Sequence, residues 1–263
     1  MYHETHRGSA QEAASPVCGV TKFAVQVVAK LVARDGADEA GLREILLQRL
    51  FDAVTTANLN ALDDIKPEFK RARISASAMA DHYIPEVARR LGTAWEDDRL
   101  SFAGVTMGVA RLQAILRELG AAWSADALGQ TDGPTVLVLL PQGEQHTLGT
   151  MVLAGRLRRM GVSVSLQIAP DLSQLSNFVA DRSFDGAMIS VTCKSRLETC
   201  RKLIKSLKDA TKGRLMVAIG GAVLDDAEDV LRLTGADVVT NDISHALGAL
   251  GISVGRSPVL ELS

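Results

Sequence analysis

A histidine and a carboxylate lie together at a strand-to-helix turn in the middle of the chain. The apolar run TVLVLL (135–140) leads into PQGEQHTLG (141–149), which carries Glu144 and His146. Neutral imidazole is the commonest metal ligand in proteins, and a carboxylate that accepts from its other nitrogen fixes the tautomer. The same pair could serve acid–base chemistry. One histidine is too few for a closed zinc site, and no other His or Cys pair has ligand spacing, so a metal is expected to arrive inside a cofactor.

The second half of the chain predicts a parallel sheet that would hold this turn. Apolar runs alternate with amphipathic stretches, which is typical of parallel strands covered by helices on both faces. Five strands favour a flavodoxin-like, Rossmann-type α/β domain, in which ligands bind beyond the carboxyl ends of the strands. The predicted strands are 135–140, 162–168, 186–191, 214–219 and 236–240.

Three loops at that edge of the sheet should therefore converge. They read PQGEQHTLG, SVTCKS (190–195) and GGAV (220–223), and they contribute His146, Ser190 with Thr192, and Gly220-Gly221. Each piece alone has an ordinary structural role, such as a solvated histidine or a tight strand exit. The first loop has neither G-x-G-x-x-G nor a Walker lysine, so dinucleotide and P-loop sites are disfavoured.

The first half of the chain has the apolar spacing that is typical of helices instead. Its apolar residues recur at spacings of three and four from about residue 21 onward, which indicates a four-helix bundle or a bundle of five helices. The predicted organisation is a disordered tail, a helical bundle, a linker and the α/β domain; the boundaries are 1–20, 21–124, 125–133 and 134–255.

Charge and targeting signals narrow the class of protein. The formal net charge is −2 and the pI is about 6.2, which gives no support to bulk electrostatic binding of DNA. The first residues lack the apolar core of a signal peptide, and no 18-residue apolar run could span a membrane. We expect a cytoplasmic protein.

The second half resembles the cobalamin-binding domain, whose signature is Asp-x-His-x-x-Gly, then Ser-x-Leu, then Gly-Gly. The chain has Glu144-x-His146-x-x-Gly149, Ser190-x-Thr192, and Gly220-Gly221 after 27 intervening residues. The resemblance implies that His146 is the lower axial ligand of cobalt. It also implies that Ser190 and Thr192 line the slot for the dimethylbenzimidazole tail, and that the two glycines let the tail approach the backbone. Glu replaces Asp at 144, and Thr replaces Leu at 192.

The predicted bundle extends the resemblance. LGTAW, from Leu91 to Trp95, is similar to the cap signature of methionine synthase and of the light-sensing cobalamin repressors. Trp95 would be either an aromatic lid over cobalt or a core aromatic of the bundle. Val105 and Thr106 stand where the adenosylcobalamin sensors have a Glu-His pair. The missing histidine favours hydroxo-, aquo- or methylcobalamin over adenosylcobalamin.

The whole pattern is most similar to the AerR/PpaA group of antirepressors. The resemblance implies a light-responsive, cobalamin-binding regulator that is not an enzyme and acts through a redox-responsive DNA-binding repressor, with little direct DNA binding. A corrinoid carrier for methyl transfer and a haem-binding sensor, with His146 on iron, are the alternatives. The implied cofactor contacts are Trp95, Glu144, Gln145, His146, Thr147, Leu148, Gly149, Ser190, Val191, Thr192, Gly220 and Gly221.

Overall fold

The structure is a computed structural model, and it describes residues 43–58, 60–126, 133–221, 223–224 and 227–254. The predicted tail (1–20) and the first predicted helix, near 23–33, lie outside these residues.

Within the described residues, five helical elements precede the sheet. They are α1 (Glu44–Thr55), α2 (Ala61–Arg71), α3 (Ala76–Ala78), α4 (Ile84–Glu96) and α5 (Phe102–Asp126). A π-helical turn, Met79–Tyr83, joins α3 to α4, so residues 76–96 form one interrupted helix. The part of this segment that the structure describes therefore contains four helices. Among the described residues, no helix combines the length and apolar character needed to cross a bilayer.

The four helices share one apolar core, because each presents a stripe of leucine, isoleucine or valine to the others. Leu50, Leu91 and Leu112 are at most 1% exposed. Gly108 of α5 packs so closely on Leu91 that a Cβ atom there would lie 2.8 Å from Leu91 Cδ1. The α4 and α5 helices therefore touch at a glycine, and the predicted bundle is present over its described part.

The sheet has five parallel strands in the order β2-β1-β3-β4-β5. Strand order reverses at β1, as the flavodoxin-like prediction requires. The strands are β1 (Thr135–Leu140), β2 (Ser163–Ile168), β3 (Gly186–Ser190), β4 (Val217–Gly220) and β5 (Val238–Val239), and the helices between and after them are α6 (Thr147–Arg159), α7 (Leu172–Ala180), α8 (Leu197–Ala210), α9 (Ala227–Thr234) and α10 (Ile243–Ala249).

Alternation along the strands fills two separate cores. Leu137 and Ile189 point to the face covered by α7 and α8, whereas Val138 and Met188 point to the face covered by α10. Since both faces are buried, β1 and β3 read as continuous apolar runs.

The helix α6 belongs to the bundle as well as to the sheet layer. Leu148 and Val152 are buried in the bundle core. At the other end of α6, Arg159 forms an ion pair with Asp81 of the π-helical turn. The element that follows the histidine loop is thus shared between the two parts of the molecule.

Candidate functional site

The loop between β1 and α6 presents His146 at the carboxyl edge of the sheet. The Glu144 N–H donates to the Pro141 carbonyl at 3.1 Å, which closes a tight turn, and Gly143 within that turn has φ +80°. His146 is the N-cap residue of α6, with φ −84° and ψ 67°. The sequence therefore places the imidazole at a fixed strand-to-helix corner.

Glu144, His146 and Thr192 form one hydrogen-bonded cluster. One carboxylate oxygen of Glu144 contacts His146 Nδ1. The other oxygen accepts from the Thr192 backbone N–H at 2.9 Å and from the Thr192 hydroxyl at 2.7 Å. The same hydroxyl lies 2.9 Å from His146 Nδ1. The loop after β1 is thereby tied to the loop after β3.

The cluster sets the charge of Glu144 and the tautomer of His146. Burial raises the pKa of the Glu144 carboxyl, but the hydrogen bonds from His146 and Thr192 outweigh it and lower the pKa to about 2. An ionised carboxylate can only accept, so the proton of the neutral imidazole resides on Nδ1 and the lone pair on Nε2. The His146 side chain is 22% exposed and that of Glu144 3%. The chemistry of this pair suits a neutral imidazole that ligates through Nε2.

A cleft of about 430 Å³, including its open mouth, lies along one face of the sheet between α6 and α10. Its base is apolar, because Met188 and Ala218 are register partners on that face. Toward the carboxyl edge the wall becomes polar and glycine-rich. The lining residues are Gly149, Leu153, Met188, Ile189, Ser190, Ala218, Gly220, Gly221, Thr240, Asn241, Asp242, Ile243 and Ala246.

Gly221 can only be glycine. Its φ of +124° is strained for any L side chain, and a Cβ atom would lie 1.9 Å from the Val191 carbonyl oxygen. The Val191 N–H in turn donates to the Gly220 carbonyl at 2.9 Å. The two glycines therefore form a turn that is pressed against the end of β3.

The structure brings most of the predicted residues together, in three different roles. The cluster holds Glu144, His146 and Thr192, and the cleft is lined by Gly149, Ser190, Gly220 and Gly221. The others support the loop. Gln145 is exposed and its N–H donates to Glu144, and Thr147 accepts from Gln113. Val191 contacts Gly221, and Leu148 is buried in the bundle core.

Thr192 has a partner that the resemblance does not imply. The resemblance implies that Thr192 lines the tail slot beside Ser190, and this stays a prediction; in the structure Ser190 lines the cleft and the Thr192 hydroxyl donates to Glu144. Strand alternation alone would place Thr192 on the same face as Met188 and Ser190. Because β3 ends at Ser190, Thr192 lies beyond the strand and its hydroxyl meets the carboxylate.

Trp95 lies in the last turn of α4, and its side chain is partly buried. In the described part of the chain it forms no hydrogen bond or ring contact with residues 144–149. The structure therefore leaves Trp95 as part of the bundle, and its contact with a cofactor stays a prediction.

Sequence reasoning missed nine of the residues that line the cleft, and it also missed Gln113. Two of the missed residues, Gln113 and Asn241, form side-chain hydrogen bonds to predicted site residues. Gln113 of α5 donates to the Thr147 hydroxyl at 2.7 Å, which brings the bundle to the residue after His146. Asn241, in the loop after β5, binds the backbone of Gly221. Asn241 could have been found, since it follows a predicted strand at the same edge; Gln113 carries no such signal.

The donor set fits a metal that arrives within a larger group. Within the described ranges, no cluster of three or more His, Cys, Asp and Glu side chains could hold a bare metal ion. A single oriented imidazole beside an apolar cleft instead suits a metal macrocycle that has an appended aromatic group.

The second half of the chain matches a known domain family, and a longer part matches one relative. The B12 binding domain family matches residues 134–250. An uncharacterized 20.5 kDa protein in the bchF-crtJ intergenic region of Rhodobacter capsulatus is 49% identical over 191 residues, which are 73% of this chain and 100% of that protein.

A solved structure shows the same fold. The monomethylamine corrinoid protein of Methanosarcina barkeri matches with a TM-score of 0.62 and 14% identity, over 79% of this chain and 98% of that chain. A cobalamin-binding protein from Desulfitobacterium hafniense matches over 77% of this chain and 95% of that chain, with 16% identity and a TM-score of 0.39, too low to support an argument.

Proposed function

We propose that this chain, which belongs to the AerR/PpaA-type family of proteins with a B12-binding domain, is a light-responsive cobalamin-dependent regulator of transcription. In this proposal it is not an enzyme, and it acts in the cytoplasm through a DNA-binding repressor. The position of the R. capsulatus relative, within the photosynthesis gene cluster, supports a role in photosynthesis gene regulation.

The observation that carries the proposal is the hydrogen-bonded cluster of Glu144, His146 and Thr192 beside the cleft, which we call the clamp. Bound cobalamin would supply a cobalt with a ligand bond that is sensitive to visible light. His146 Nε2 would hold the cofactor. The Glu144 carboxylate keeps the proton on Nδ1 and orients the ring, and Ser190, Gly220 and Gly221 form the wall for the nucleotide tail.

The upper ligand would be small. The resemblance assigns the upper face to Val105 and Thr106, and neither side chain can replace the histidine of the adenosylcobalamin sensors. In α5, Val105 is half-buried and Thr106 is exposed. We therefore expect hydroxo-, aquo- or methylcobalamin, with Trp95 as the lid that disfavours the adenosyl form.

The regulatory output would depend on the contact between α6 and the bundle. His146 is the N-cap residue of α6, and Leu148 and Val152 of that helix pack in the bundle core. A ligand moves such an equilibrium only through its different affinities for the two arrangements, typically with a coupling of about 1–3 kcal/mol. Cobalamin-loaded protein should accordingly bind its repressor about 5- to 150-fold more tightly than apoprotein.

The test of the cofactor is the visible spectrum of purified protein titrated with hydroxocobalamin, in the dark and after illumination. We expect one cobalamin per chain with an imidazole-ligated, base-off spectrum. His146→Ala should lose that spectrum and bind at least about 10- to 100-fold more weakly. A variant with wild-type affinity and spectrum would remove His146 as the ligand.

The regulatory output is tested by measuring how much repressor is captured by the apoprotein, by protein loaded with cobalamin in the dark, and by loaded protein after illumination. A DNA mobility-shift assay of this protein alone accompanies it. Equal capture in all three states would eliminate a sensory role. Tight sequence-specific DNA binding without a partner would contradict action through a repressor.

A corrinoid carrier is the second candidate, since the M. barkeri corrinoid protein has the same fold. Methyl transfer from methylcobalamin-loaded protein to a thiol acceptor would favour that candidate. A Soret band in place of a corrin spectrum would identify a haem protein.

A further inference from the structure

Asn241 joins two loops at the cleft mouth through a reciprocal amide pair. Its Oδ1 accepts from the Gly221 N–H at 2.7 Å, and its Nδ2 donates to the Gly221 carbonyl at 3.1 Å. The side chain thus satisfies both backbone groups of one residue that is 20 positions away in the chain. Asn241 itself lines the cleft.

The two hydrogen bonds of Asn241 hold the Gly220-Gly221 turn on the side opposite β3. On one side, the Val191 carbonyl is so near Gly221 that a Cβ atom would lie 1.9 Å from it. On the other side stands the Asn241 amide. Gly221 is thereby held at φ +124° between two loops. Gly220 is also confined, because a Cβ atom there would lie 3.0 Å from the Thr240 carbonyl oxygen.

The loop that carries Asn241 is anchored in turn. Thr240 donates its N–H to Ile219 of β4 at 2.9 Å, and its hydroxyl accepts from the Asp242 N–H at 3.1 Å. The Asp242 carboxylate then accepts from the His245 N–H at 2.9 Å and caps α10. Asn241 therefore projects from a rigid corner and can hold Gly221 in place.

We propose that Asn241 is a positioning residue that preforms the glycine wall of the cleft and thereby selects corrinoids that carry a nucleotide tail. This inference rests on the proposed cobalamin function. A wall that is already in place spares the ligand the cost of ordering it, which raises affinity only for the part of the ligand that touches it. The cluster around His146 uses none of these contacts, so the corrin should be held equally well without Asn241.

The experiment compares two probes, hydroxocobalamin and diaquocobinamide, which has the corrin and cobalt but no nucleotide tail. Both are titrated into the full chain and into Asn241→Ala, Asn241→Asp and Asn177→Ala, with affinity and His-ligated spectrum as readouts. Asn241→Asp keeps an acceptor for the Gly221 N–H but sets a carboxylate oxygen against the Gly221 carbonyl. Asn177 is exposed on α7 and serves as the matched control.

We expect both Asn241 variants to bind hydroxocobalamin about 5- to 150-fold more weakly, because a buried backbone group loses its partner. Their affinity for diaquocobinamide and their His-ligated spectrum should equal those of wild type, which also shows that they are folded. Asn177→Ala should match wild type with both probes.

Equal losses for the two probes in both variants, or no loss in either, would overturn the inference. These outcomes leave wild-type cobalamin binding intact, so they do not touch the proposed function. If wild type itself binds neither probe, the proposed function fails and this inference with it.

Discussion

The side-chain amide of Gln113 in the bundle donates a 2.7 Å hydrogen bond to the hydroxyl of Thr147, the residue that follows His146. A displacement of α5 therefore acts on the first turn of α6, directly beside the proposed axial ligand. Both side chains are partly buried, so this contact is more than a surface encounter.

A double-mutant cycle measures that contact. Gln113→Leu, Thr147→Val and the double variant should show a coupling of about 0.5–1.5 kcal/mol in urea unfolding of the apoprotein, because the double variant leaves no unpaired partner. In cobalamin-loaded protein, both single variants should also shift the fraction with His146 on cobalt. Additive effects in both measurements would show that the bundle does not act on the histidine loop through Gln113.

Thr192→Val should weaken the clamp on Glu144. The substitution keeps the backbone N–H but removes a hydroxyl that donates at 2.7 Å to a buried carboxylate. We expect a loss of about 1.5–3 kcal/mol in the free energy of unfolding. We also expect a larger His-off fraction, which is the fraction of bound cobalamin without His146 on cobalt. Thr192→Ser should restore both.

The matched control for that substitution is Thr55→Val. It removes a hydroxyl that bonds within α1, to the Phe51 carbonyl at 2.9 Å, far from the clamp. Its effect on the His-off fraction should be nil. A shift as large as that of Thr192→Val would mean that general destabilisation, and not the clamp, controls ligation.

Gly221→Ala should abolish a preformed cleft. Its methyl group would meet the Val191 carbonyl oxygen, and its φ is positive, so the apoprotein should be destabilised and cobalamin binding lost. Gly235→Ala separates the two causes, since Gly235 has φ +74° and open space around its Cβ position. It should cost only the backbone strain, about 1–3 kcal/mol, and bind cobalamin normally. Equal behaviour of the two variants would contradict the close approach to Val191.

The bundle should lose stability in acid through Glu86. Burial raises the pKa of this carboxyl, but hydrogen bonds from Arg89 and Arg90 outweigh it, so the pKa lies below its usual 4.5. A lowered folded-state pKa gives stability that is present above 4.5 and lost as the pH falls through the folded-state value. Unfolding free energies between pH 6 and pH 3 should thus fall less steeply in Glu86→Gln than in wild type.

Glu118→Gln is the control for the acid titration. Glu118 forms an exposed pair with Lys66 at 3.5 Å, and such pairs contribute little. Loss of that pair should therefore change the free energy of unfolding little at pH 6. If the curve of Glu86→Gln runs parallel to that of wild type, the two arginines do not stabilise the carboxylate.

The sequence predicted the strand bounds best where the apolar run was continuous. The run 135–140 is β1 residue for residue, because a strand buried on both faces shows no alternation that could blur its ends. The run 236–240 shrinks to Val238–Val239, since an edge strand pairs on one side only. The π-helical turn Met79–Tyr83 could not be foreseen, because its apolar spacing is that of an ordinary helix.

The site was predictable as a set of loops but not as a set of contacts. Topology alone brings His146, Ser190 and Gly221 to one edge. The direction of the Thr192 hydroxyl depends on how the backbone turns after β3. The pairing of Asn241 with Gly221 depends on two loops that are 20 residues apart, and no short-range pattern encodes it.

The double membership of α6 bears on how the protein can be dissected. A fragment that began at β1 would lack the bundle and would expose Leu148 and Val152 as an apolar surface on α6. In the whole chain these two residues are 6% and 4% exposed. Such a fragment would tend to self-associate, and its histidine corner would lose the support of Gln113. Heating the intact chain should accordingly melt helices and sheet in a single transition, as in one cooperative unit instead of two modules joined end to end.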